Sequence, residues 1–172
     1  MSLHDDLLDQ AWHLVPAAQG RGRPKQASLR RATSTAYYAV FHLFVDQASR
    51  ELVSGTQEES LRLQVTRAFD HSDIADVCKG IAAGNPAQPI HGLLGTPIHD
   101  EVRRAAAAFQ DLYQARHEAD YDLSRQFRRT EAIDMIQRGQ DAFDALGKLD
   151  KKDHQRRVFL TALAMHKRWN RR

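Results

Sequence analysis

The chain has 172 residues, 42% of them hydrophobic and 27% charged, which suits one globular domain and excludes a disordered or fibrous protein. The net charge of +3 is modest, and no apolar run approaches the roughly 20 residues that would cross a bilayer. The single cysteine, Cys78, excludes an internal disulfide and a multi-cysteine zinc site, and with the absence of a signal-like N-terminus it predicts a cytoplasmic protein.

The first half of the chain shows the spacing of amphipathic helices. Apolar residues recur every three or four positions and predict a first helix over about residues 4–18. A second helix is expected from after Pro24 to about Val53, and its broad apolar arc is typical of the centre of a helical bundle. Thr56 and Glu59 have the form of a capping box that opens a third helix, which should end near His71.

The second half continues the helical pattern and contains no convincing strand. Ser72 can cap a short helix to about Ala83, and the following Gly84–Gly95 stretch reads as a loop, either a functional flap or, preferably, a tolerated insertion. Thr96-Pro97 supplies an N-cap and first-turn proline for a long helix. Two further helices are predicted from Thr130 and over about 151–169. The fold class is therefore an all-α, up-and-down bundle of six to seven helices.

Two charged residues fall on the apolar stripe of the long helix. Arg116 is seven positions after Phe109, and Asp120 is seven after Tyr113, so both should point inwards and pair with each other. One interpretation is a structural pair that fixes the helix end in the bundle. The other places the pair at a groove, where Arg116 meets a phosphate and Asp120 or Tyr121 orients it or transfers a proton.

The second helix carries a ladder of polar side chains at helical spacing. Arg31, Thr35, Tyr38 and His42 share roughly one side, with Tyr37 next to them. His42 has the chemistry of an acid or base near neutral pH, although a histidine beside aromatic residues is more often part of the core. Tyr37 and Tyr38 are expected to pack with their hydroxyls hydrogen-bonded to neighbours.

The segments Arg31–His42 and Arg116–Asp122 together resemble the two motifs of small stand-alone proteins of the HEPN superfamily. The resemblance covers roughly residues 5–147, so we expect a HEPN-like helical domain at 1–147 and a basic helical extension at 148–172. It implies a helical bundle that frequently forms homodimers, with the motif arginines of two subunits lining one cleft.

Many members of that superfamily are metal-independent endoribonucleases with an arginine followed four to six residues later by a histidine. Here the histidine follows at once, as His117, and Asp120, Tyr121 or Asp122 occupies the expected position. The catalytic candidates are therefore Arg116, Asp120, Tyr121 and His42, with no metal or cofactor. Candidate RNA contacts are Arg31, Tyr37, Tyr38 and, from the basic C-terminal cluster, Arg156, Arg157, Lys167 and Arg168.

Three functions stay open on the sequence. The first is a toxin-like or defence-associated protein that binds or cleaves RNA. The second is a non-catalytic module that partners a minimal nucleotidyltransferase, as in toxin–antitoxin pairs, with Tyr121 as a docking or modification point. The third is a helical domain with a nucleotide or small-anion pocket and no role with RNA.

Overall fold

A computed structural model describes residues 2–15 and 24–169. In these ranges the chain forms eight helices and no strand, which confirms the predicted all-α class. The helices are α1 Leu3–Leu14, α2 Gln26–Leu52, α3 Glu59–Thr66, α4 His71–Ala82, α5 Ile90–Leu94, α6 Asp100–Tyr121, α7 Arg129–Lys148 and α8 His154–Trp169. The predicted number is too low because the expected Gly84–Gly95 loop contains α5. No helix of the described ranges is long and apolar enough to cross a membrane.

The α2 helix is the centre of the bundle, as its broad apolar arc predicts. It packs against α1, α3, α6, α7 and α8. Alanines at 36 and 39 are fully buried and bring the neighbouring backbones close, while Val40 and Phe44 fill the space between the helices. Because nearly the whole circumference of α2 is covered, its few polar side chains must find partners inside the bundle.

The segment after Lys148 is part of the same core. Phe159, Leu160 and Leu163 of α8 are almost completely buried, and α8 contacts α2, α4 and α5. Gln155 fixes the start of the helix, because its amide donates to the carbonyls of Leu94 (3.0 Å) and Pro97 (2.9 Å). The basic helix therefore packs on the domain and does not project from it.

Several predicted helix caps are wrong. The described Thr56–Glu59 segment forms no capping box, since α3 begins at Glu59 without a side-chain cap. Asp70, not Ser72, caps α4 by accepting the Ser72 amide at 2.8 Å. The α6 helix begins after His99, whose amide donates to Gln155 Oε1 at 2.7 Å. A tertiary acceptor thus replaces the predicted local cap. Residues 16–18 of the first predicted helix lie outside the described ranges.

Candidate functional site

Arg116 lies near the end of α6 and points towards α2. Its Nε is 2.8 Å from Oδ2 of Asp120, and its Nη2 donates to the hydroxyl of Tyr38 at 3.1 Å. The guanidinium carbon is 5.9 Å, 5.8 Å and 5.1 Å from the ring centres of Tyr37, Tyr38 and Tyr121. The predicted pair with Asp120 is therefore present, inside a cage of three tyrosine rings that favours a cation.

The cage keeps Arg116 charged although its side chain is only 17% exposed. Burial lowers the pKa of Arg116, but the hydrogen bond to Tyr38 and the charge of Asp120 outweigh this effect and raise the pKa above its ordinary value. Ser34 adds a donor to the same carboxylate, with its Oγ 3.3 Å from Asp120 Oδ2. A fixed cation and a partly accessible carboxylate thus lie side by side between α2 and α6.

Tyr37 connects this cage to α4. Its ring is fully buried, and its hydroxyl lies 2.6 Å from Nδ1 of His71, the first residue of α4. Phe41 stacks on the His71 ring with centres 3.9 Å apart. Burial, followed by the charge of Arg116, lowers the pKa of His71, so the ring is neutral near pH 7. Burial also raises the pKa of Tyr37, which keeps its phenol protonated.

His71 and Arg30 belong to this arrangement, although sequence reasoning assigned neither to a site. Arg30 donates to the carbonyls of Ala119 and Asp122, each at 2.8 Å, and its guanidinium lies over the ring of Phe127. It therefore holds the end of α6 and the residues that carry the ion pair. Both residues reach the site only through the tertiary fold, and no local spacing marks either of them.

Two other candidate histidines lie at the margins of the cage. The His42 ring is 5.4 Å from that of Phe41, and burial, helped by the nearby His4, lowers its pKa. The described contacts do not join His42 to the Arg116–Asp120 pair, so the structure does not place it beside the predicted catalytic partners. His117 lies between Tyr113 and Tyr121, with ring centres 4.6 Å and 5.7 Å away.

An open groove adjoins the ion pair where the ends of α1 and α6 meet the start of α2; we call it the α2–α6 groove. Arg31, Tyr38 and Asp120 all line it, and the Arg31 side chain is exposed to solvent. Tyr37 is buried beneath the groove, and its ring packs near the Arg116 guanidinium. Tyr121, next to Asp120, is 66% exposed and presents a free ring edge beside the pair. The groove thus has an exposed arginine and a tyrosine in its lining, and the caged Arg116 lies beside it.

The basic residues of α8 are placed differently from the prediction. The side chain of Arg156 is only 7% exposed and donates to Gln47 Oε1 at 2.8 Å, so it is not a surface for nucleic acid. Arg157 pairs with Glu51, and Lys167 pairs with Asp73 at 2.9 Å. Arg168 is exposed. Most of this predicted RNA contact is therefore used in packing or neutralised by carboxylates.

Comparison with known proteins gives no relative: no family model, no curated protein and no solved structure matches the chain. In residues 2–15 and 24–169 no group of three or more histidine, cysteine, aspartate or glutamate side chains is arranged to hold a metal ion.

Proposed function

We propose that the chain is a HEPN-like helical domain that binds single-stranded RNA in the α2–α6 groove. The observation that carries the proposal is the Arg116 guanidinium, held charged between tyrosine rings and Asp120 beside a groove that also exposes Arg31. Arginines bind RNA phosphates through charge and paired hydrogen bonds, and aromatic rings stack on unpaired bases. In this proposal Arg31 and Arg116 contact phosphates, and Tyr121 stacks on a base.

Binding of RNA requires that a phosphate oxygen replace the Asp120 carboxylate at Arg116. Asp120 has a side-chain exposure of 28%, so its carboxylate can turn towards solvent when a phosphate oxygen replaces it at Arg116. The tyrosine cage and Tyr38 hold the guanidinium in place during the exchange, which limits the conformational entropy lost on binding. Arg31 has no such competing carboxylate among the described contacts, so it supplies the first attraction for the strand.

The test is fluorescence anisotropy of a short labelled RNA with wild type, Arg31→Ala, Arg116→Ala and the control Arg138→Ala. Arg138 is a half-exposed arginine of α7 paired with Asp111, so it matches Arg31 in charge but not in position. We expect Arg31→Ala to weaken binding and to lower the slope of log affinity against log salt by about 1. Equal affinity of Arg31→Ala, Arg116→Ala and Arg138→Ala would overturn the proposal.

Incubation of the same RNA with wild type, His71→Asn and His117→Asn shows whether binding leads to cleavage. The charge of Arg116 acts on His71, and His117 lies against Tyr121 of the cage, so these two imidazoles are the candidates to accept a proton from a ribose hydroxyl. Fragments that appear with wild type and not with His71→Asn or His117→Asn would extend the proposal to a metal-independent endoribonuclease. Intact RNA in every sample would leave a binding domain without nuclease activity.

A role as an interaction module is the second candidate, and the exposure of the α6–α7 turn favours it. Tyr121 is 66% and Leu123 is 86% exposed, which leaves an aromatic and an apolar side chain free to dock on a second subunit or on a nucleotidyltransferase partner. Co-expression with the product of the neighbouring reading frame tests this role. A complex lost in Leu123→Asp supports it, and a chain that purifies without that product contradicts it.

A further inference from the structure

A second pocket lies at the other end of α2 from the groove, where the start of α1 and the start of α8 meet it. The pocket is lined by residues that include Gln47, Glu51, Lys151 and Arg156. We call it the Arg156 pocket. It shares no lining residue with the α2–α6 groove. The two sites are therefore separate, and substitutions in one leave the lining of the other unchanged.

The buried guanidinium of Arg156 lacks most of the partners that such a group requires. Nη2 donates to Gln47 Oε1 at 2.8 Å, whereas Nε is buried without an acceptor. Nη1 donates no hydrogen bond in the described structure, and the nearest carboxylate oxygen, Oε2 of Glu51, is 4.0 Å away. Because a buried cation is stable only when paired and hydrogen-bonded, Nη1 is an open donor at the pocket wall.

The carboxylates around the pocket are already used by other partners. Glu51 Oε1 lies 2.5 Å from Nε of Arg157, which makes Glu51 a weak counter-ion for Arg156. Both oxygens of Asp46 accept from Arg50 Nε, at 2.9 Å and 3.0 Å. Asp5, the third carboxylate of the lining, accepts the amide and hydroxyl of Ser2, at 3.1 Å and 2.7 Å, in the α1 capping box.

The positive charges of Lys151 and Arg156 are thus poorly compensated, because Glu51, 4.0 Å from Arg156 Nη1, is also paired with Arg157. Lys151 is exposed at the rim and has no ion pair in the described part of the chain. Arg156 lies deeper and is held by Gln47 and by the packing of α8. A recessed arginine with an exposed lysine at the rim is an arrangement that favours an oxyanion.

We propose that the Arg156 pocket binds a small oxyanion, a phosphate or carboxylate group of a soluble molecule. Nη1 of Arg156 donates to one oxygen, and the ammonium of Lys151 contacts another from the rim. The recess favours a small anion over a nucleic-acid strand, because the Arg156 side chain is only 7% exposed to solvent. His4 also lines the pocket.

The experiment is isothermal titration calorimetry with inorganic phosphate, and separately with acetate, at ionic strength held constant with sodium chloride. Wild type should bind at least one of the two saturably, and the stronger one identifies the phosphate or carboxylate source. Lys151→Ala should weaken binding about three- to fivefold, because an accessible charge contact contributes up to about that factor. Lys152→Ala is the matched control, since Lys152 is an exposed neighbour outside the lining and should bind as wild type does.

Arg156→Met should abolish binding, and circular dichroism shows whether the variant is folded. If it is not, the comparison of Lys151→Ala with Lys152→Ala decides by itself. Heats that do not saturate with either anion, or equal affinities of the two lysine variants, would overturn the proposal. Neither result bears on the α2–α6 groove, because Lys151 and Lys152 lie outside it.

Discussion

At the scale of single residues, His71 is neutral because it is surrounded by hydrophobic rings and positive charge. Tyr37 and Phe41 contact it from α2, and Arg116 and His117 act on it from α6, with His42 on the α2 side. Asp70 opposes these effects from the neighbouring position. Protonation of His71 would therefore place a cation beside a caged arginine, in the part of the site where Tyr37 is fully buried.

This environment predicts a loss of stability on mild acidification. The pKa values of His42 and His71 are lowered in the folded state, so the unfolded chain binds more protons as the pH falls below about 6.5. Stability should decline from there to the lowered pKa values and then level off until carboxylates such as Asp70 titrate. Urea unfolding at pH 7.5 and pH 5 measures the loss.

The variant His42→Gln/His71→Gln isolates this effect. It should be less stable than wild type at pH 7.5, because the contacts of His71 with Tyr37 and Phe41 are lost. It should also lose less stability between the two pH values, because two of the groups that take up protons are gone. A loss as large as that of wild type would show that other groups control the acid sensitivity.

Only the part of the site that lies on one helix was predictable from the sequence. The Arg116–Asp120 pair was predictable, since residues four apart on a helix meet and both continue an apolar stripe. His71 and Arg30 were not, because their partners are 34 and about 90 residues away in the chain. The burial of Arg156 was also not predictable, because a basic residue near a terminus gives no sign that a neighbouring helix will cover it.

At the scale of elements, the close approach of α4 to the segment that follows it depends on Gly80. The amide of Asn85 donates to the Gly80 carbonyl at 2.9 Å, and a Cβ at Gly80 would lie 2.9 Å from the Cα of Pro86. Backbone atoms fixed on both sides cannot yield as a flexible side chain would. The return of the chain towards α5 therefore requires glycine at this position.

Gly80→Ala should accordingly destabilise the fold by about 1–3 kcal/mol, the usual range for overpacking. Gly147→Ala is the matched control, because Gly147 also lies in a helix but a Cβ there would meet nothing within 4 Å. That substitution should be neutral or stabilise by up to about 1 kcal/mol through helix propensity. Chemical denaturation of both proteins checks the difference, and equal stability of Gly80→Ala and wild type would contradict it.

The helices themselves were more predictable than their ends. The periodicity of apolar residues identifies α2, α6, α7 and α8, because the residues that face the core recur at helical spacing. The start of α6 depends on Gln155, which is 56 residues from the amide it binds. The five-residue α5 has too few residues to show a period, so proline and glycine dominated the prediction of a loop.

At the scale of the whole molecule, the basic residues that cluster near the C-terminus of the sequence do not form a free basic surface in the fold. The C-terminal cations lie on a helix whose apolar face is in the core, and carboxylates of α2 and α4 neutralise two of them. The groove between α2 and α6 is lined by few basic residues, but Arg31 is exposed there and Arg116 lies beside it, paired with the lining residue Asp120. Position, and not local charge density, therefore identifies the proposed RNA surface.

An NMR titration of the ¹⁵N-labelled protein with single-stranded RNA shows whether RNA binds in the α2–α6 groove. Saturating chemical-shift changes should concentrate on residues 27–38 and 116–121, together with the arginine side-chain signals of Arg31 and Arg116. Shifts confined to the amides of α8, or no saturating shift in the groove, would contradict RNA binding at this surface.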